Sequence, residues 1–191
     1  MLLAASVNLT AARLVSPSMD PLRAAGMFEI AGLPLHPLLV HAVVVLTPLT
    51  ALALVLGSVW PAARRRLGIV TPLAALLLIV LVPITVAAGE ALAAVVGPIP
   101  AVATHEGYGR MLLPWVIGMF AVAAAQWAWF RWGAQSGAEH ASGAPAAVPR
   151  RTRAITLALA ALAVAVATGT TIVVVLIGDS GARAVWGGLL G

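Results

Sequence analysis

Four long apolar runs dominate the pattern of this chain, at roughly 35–59, 67–90, 111–130 and 154–177. A bilayer core of about 30 Å needs about 20 helical residues at about 1.5 Å rise each, and every run meets that length. The pattern therefore predicts an all-α integral membrane protein, a four-helix transmembrane bundle over residues 27–186. The first run opens at Leu33-Pro34-Leu35-His36-Pro37, where proline in the first turn removes no backbone hydrogen bond, and closes at the interfacial aromatic Trp60. Pro48 inside it, and Pro83 in the outer half of the second run, predict kinks.

The tail of the second run, ALAAVVGPIPAVA, is broken by Pro98 and Pro100 and reads as a surface-lying or re-entrant segment. The third run ends in an aromatic cluster, Trp127, Trp129, Phe130 and Trp132, of the kind that forms an interfacial belt. The fourth carries a small-residue patch, Thr168-Gly169-Thr170-Thr171, which permits close helix approach. Residues 133–153 are rich in Gly, Ala and Pro and read as a flexible cytoplasmic linker. Residues 1–26 read as an N-terminal tail, with Met27 an alternative start. No internal repeat of solenoid or inverted-transporter type is legible.

Charge fixes the expected orientation. Arg64, Arg65 and Arg66 follow run one, and Arg131, Arg150, Arg151 and Arg153 lie between runs three and four, whereas the loop between runs two and three holds only Arg110. Arginine-rich short loops stay cytoplasmic, so both termini are expected outside. Composition agrees: the chain is 62% hydrophobic and 9% charged, with mean hydropathy +1.05, whereas soluble domains are about 25% charged. Its net charge of +5 comes from arginine with no lysine, and because those arginines flank apolar spans the expected partner is the lipid bilayer and no nucleic acid. With no cysteine, thiolate chemistry and disulfides are excluded.

The remaining chemistry gathers at the other ends of the runs: His36, His41, Glu90, His105, Glu106, Arg110, Asp179 and Arg183. His41, about 7.5 Å deeper than His36, is expected to face the bundle interior, because an ionisable group at that depth is costly in lipid. His36 and His41 point about 140° apart on a helix, so a two-histidine site within run one is a weak expectation. Across helices, His41 and His105 are the first candidates for axial ligands of a b-type haem, with His36 as substitute and Glu90 and Asp179 as supporting groups. Arg110 or Arg183 would meet haem propionates or an anionic partner. His36, His41 and His105 together equally suit a divalent metal. The bland readings stand beside these: His36 as a helix-start residue, His105-Glu106-Arg110 as a solvated loop, and Gly178-Asp179-Ser180 as a helix stop and turn. No phosphate loop, zinc-protease motif or nucleophile elbow occurs, so catalysis by this chain alone is not expected. A non-catalytic structural or partner subunit of a membrane complex is the alternative, and His140, in the linker, belongs to no site.

GLPLHPLLVHAVVVLTPL, Ala88-Gly89-Glu90, Thr104-His105-Glu106 and the ending Gly178-Asp179-Ser180-Gly181-Ala182-Arg183-Ala184-Val185-Trp186 together resemble the bacterial family of domain of unknown function 2231. The resemblance covers about Met27 to Trp186 and implies a four-helix membrane protein of actinobacterial type. It implies no particular activity, and a neighbourhood of redox proteins favours haem over metal.

Overall fold

The computed structural model describes residues 28–31, 33–133 and 149–187, and the expectations for residues 1–26, for most of the linker and for His140 lie outside them. A two-residue antiparallel hairpin, β1 (Glu29–Ile30) and β2 (Leu33–Pro34), precedes the first helix. Then come α1 (Leu35–Val59), the short α2 (Pro61–Leu67), α3 (Val70–Val96) and α4 (Pro100–Ala128). A π-helical turn, Trp129–Gly133, extends α4, and α5 (Arg150–Trp186) completes the fold. Among the described residues, α1, α3, α4 with its π-turn and α5 are each long and apolar enough to cross a membrane. This is an all-α bundle in which α1, α3, α4 and α5 pack in a ring in chain order, with α1 opposite α4.

Three helix limits differ from the apolar runs. α3 continues past Glu90 to Val96, and only Gly97, at φ 91, with the two residues after it separates it from α4. α4 starts at Pro100, a proline at N1 being pre-organised for a helix, so His105, Glu106 and Arg110 are helical rather than in a loop. α5 runs through Gly178-Asp179-Ser180 instead of stopping there, and its first turn takes up Arg150 to Arg153 of the expected linker. Asp179 pairs with Arg183 at 2.9 Å, an i,i+4 pair that supports the helix across this stretch.

The inward faces repeat. On α3 the inward positions Thr71, Ala75, Leu78, Val82, Thr85 and Gly89 step by four and three, and on α5 Ala163, Ala167, Thr170, Val174, Ile177 and Gly181 do the same, each 92 positions later (163 − 71). A shift of 69 (105 − 36) likewise carries His36, Val43, Thr47, Thr50 and Leu54 of α1 onto His105, Leu112, Val116, Met119 and Ala123 of α4. The stepping is that of left-handed helix packing at shallow angles. The bundle is thus two parallel hairpins, α1–α3 and α4–α5, related by a pseudo-twofold axis along its length. Small residues set the spacing: the Trp115 ring lies where a side chain on Gly169 would be, as the Thr168–Thr171 patch predicts. Thr50, Thr85, Thr170 and Thr171 return their hydroxyls to the carbonyl four residues back. Thr47, 0% exposed and beside Pro48, makes no such bond, and its hydroxyl is without a partner.

Candidate functional site

One end of the bundle holds both helical imidazoles that point inward. His36 leaves the first turn of α1 and its Nδ1 donates to the Thr85 carbonyl of α3 at 2.8 Å. His105, on the second turn of α4, reaches the Ile177 carbonyl of α5 at 3.1 Å and Ser180 Oγ at 3.3 Å. A carbonyl can only accept, so both rings carry a proton on Nδ1, and the neutral form of each has its lone pair on Nε2. Each ring also rests on a glycine one turn beyond its carbonyl. A Cβ on Gly89 would meet His36 at 2.8 Å, and one on Gly181 would meet His105 at 3.1 Å. The two sets, His36 with Thr85 and Gly89 and His105 with Ile177 and Gly181, are the pseudo-twofold copies of one arrangement. The rings meet edge to face across the axis, centroids 6.2 Å apart at 87°.

Around them lies a cavity of about 440 Å³, walled mainly by aliphatic side chains such as Val40, Val82, Leu112 and Ile177, with Glu90 and Glu106 as its acidic members. That volume is within the range of small-molecule sites, about 300–1,000 Å³, and the mix of an apolar wall with few converging polar groups is theirs too.

His41 does not join the pair. It is exposed, and its Nδ1 contacts the carbonyl of Pro37 on its own helix at 2.5 Å. The 140° separation along α1 holds, but it is His36 that turns inward. The pairing of His41 with His105 is corrected accordingly to His36 with His105. The triad of His36, His41 and His105 for a divalent metal is not formed, and among the described residues no three of His, Asp and Glu gather as a metal site. Glu90 binds Arg110 at 2.8 Å rather than either imidazole, with Glu106 at 3.6 Å from the same guanidinium. Asp179 is held by Arg183. Both arginines are exposed and already neutralised, so neither stands ready for a second anion. The carbonyls of Thr85 and Ile177 and the seats at Gly89 and Gly181 are roles the sequence pattern did not assign: a backbone carbonyl and a missing side chain leave no chemical signature of their own. No family model, curated protein or solved structure matches this chain.

Proposed function

We propose that the protein is a small redox or ligand-binding module of a bacterial plasma membrane, with both termini outside, which holds a b-type haem between His36 and His105. The observation that carries this reading is the imidazole pair itself. Two rings from opposite helices, each fixed by an Nδ1–H bond to a backbone carbonyl, offer free Nε2 lone pairs beside an apolar cavity. Metal–imidazole bonds of about 2.0 Å, added to the half-width of each ring, place two ring centres about 6 Å apart across a shared ion. The observed 6.2 Å fits that figure. With two protein ligands, an iron already held by four porphyrin nitrogens is better served than a bare divalent cation, which would lack donors. Orientation rests on the arginines at the other end, seven of which lie at Arg64–Arg66, Arg131, Arg150, Arg151 and Arg153.

The test is an ultraviolet–visible spectrum of detergent-purified protein, air-oxidised and then dithionite-reduced, after expression with haem precursor. A Soret band whose visible bands sharpen on reduction is expected. A featureless spectrum at high purity overturns the haem reading and favours the second one, a structural subunit docking partner helices. That alternative draws on the low burial of the spans, of which only 28% to 33% is enclosed within this chain.

A further inference from the structure

At the opposite end of the bundle a second cavity, of about 350 Å³, opens between α1, α2, the start of α3 and the end of α4. The chain builds it deliberately. Arg64 folds back from α2 and donates from Nε to the Gly57 carbonyl at 2.8 Å and from Nη2 to the Ser58 carbonyl at 2.7 Å, satisfying orphan carbonyls at the C-terminus of α1. Burial lowers its pKa from the ordinary guanidinium value, yet the group stays charged. Its carbon lies 3.5 Å from the centre of the Phe130 ring, a cation–π contact. Phe130 and Arg131 come from the π-helical turn, which swings them onto the cavity at the point where α4 would otherwise continue.

Arg65 and Arg131 complete the cationic wall, no carboxylate lines it, and neither arginine takes part in an ion pair among the described residues. The floor adds a polar group of a different kind. Gln126 is 5% exposed, and its amide nitrogen donates to Ser58 Oγ at 2.6 Å and to the Leu159 carbonyl at 3.4 Å. Among the described residues its Oε1 receives no hydrogen bond, and Gln126 is one of the residues lining the cavity. Trp127 supplies an amphipathic wall of the kind found at the headgroup level of a bilayer.

We infer that this cavity is a site for a phosphodiester carrying free hydroxyls, the polyol headgroup of an anionic phospholipid. Arg65 and Arg131 take the phosphate oxygens, the fixed Arg64 supplies the field behind them, and Gln126 Oε1 accepts from a headgroup hydroxyl. The site is independent of the histidine pocket, which lies at the other end of the helices. The same phosphate chemistry could reach the cavity as free inorganic phosphate, so the experiment separates the two.

Delipidated full-length protein is offered equal amounts of phosphatidylglycerol and phosphatidylcholine in detergent, and retained lipid is read by native mass spectrometry. Each arginine near a headgroup contributes about a fivefold factor in affinity. The wild type is expected to retain phosphatidylglycerol by tenfold or more, Arg65→Gln/Arg131→Gln to lose about 25-fold in affinity, and Arg65→Lys/Arg131→Lys to keep most of the preference. Arg183→Gln, at the other end, is expected to match the wild type. Displacement of the bound lipid by millimolar inorganic phosphate assigns the site to the free anion and overturns the lipid assignment. Equal retention of the two lipids by wild type, or an unchanged preference in the double glutamine variant, overturns the site.

Discussion

Gly89→Ala tests the seat on which His36 rests. The new Cβ would stand 2.8 Å from the ring's Cε1 and 2.9 Å from Nδ1. Carbon contacts settle at about 3.5–4.0 Å, so the ring must retreat by about 0.7 Å. The direction is away from α3, the helix that also carries the Thr85 carbonyl. The 2.8 Å hydrogen bond therefore lengthens to about 3.5 Å, where little of it survives. Losing a hydrogen bond costs about 1 kcal/mol, while alanine in place of glycine within a helix returns about 1 kcal/mol. Global stability should change by less than about 1 kcal/mol, while the orientation of one imidazole is lost. The measurement is the ring N–H spectrum of protein labelled with nitrogen-15 at histidine, in detergent, alongside thermal unfolding. Apart from the Nδ1–H of the exposed His41, which bonds its own helix, the wild type should show slowly exchanging Nδ1–H signals from His36 and His105, and of these two Gly89→Ala should keep only that of His105. Gly178→Ala, whose Cβ would meet nothing within 4 Å, should keep both. If Gly89→Ala retains both signals, the contact does not position the ring and the argument from the glycine seats fails.

His36→Ala and His105→Ala should each abolish the haem spectrum, whereas His41→Ala, whose ring bonds only its own helix, should leave it intact; a Soret band surviving in either of the first two refutes the assigned ligands. Thr47→Val replaces a buried hydroxyl that has no partner by an isosteric methyl, and should raise stability to unfolding by about 1 kcal/mol, read from thermal melts. Glu90→Gln breaks an ion pair whose side chains are 46% and 58% exposed, so the loss should stay below about 1 kcal/mol by the same melts.

The four helices were legible because an apolar run long enough to cross a bilayer has few other uses, and the arginine and histidine ends followed from counting charges. Helix limits were not. Gly178-Asp179-Ser180 looks like a helix stop and turn in sequence, but Asp179 and Arg183, at i,i+4, bridge one helical turn across it as α5 continues. The charges at 105–110 lowered the local hydropathy and hid that Pro100 starts α4. The 140° between His36 and His41 was readable from helix geometry, and in the structure His36 meets His105 while His41, though it borders the same cavity, stays exposed. The depth argument chose His41, because it treated the cost of a polar ring in lipid as unanswered. Its Nδ1 answers that cost locally, at the Pro37 carbonyl. The internal repeat escaped notice because its halves share burial stepping and one His and one Gly per hairpin, and little other identity.

Pro48 interrupts α1, Pro83 α3 and Pro114 α4, while the 37 residues of α5 contain no proline at all. Mechanically, α5 is a rigid mast and the other three spanning helices are jointed spars. His36 lies 12 residues from the joint at Pro48 (48 − 36), an arm of about 18 Å. A swing of about 5° there moves the His36 ring by about 1.6 Å. His105 sits nine residues from Pro114 (114 − 105) but is moored to α5 through Ile177 and Ser180. Flexing of α1 at Pro48 would therefore change the gap between the two rings from the His36 side, working against its bond to the Thr85 carbonyl, while His105 stays held to α5.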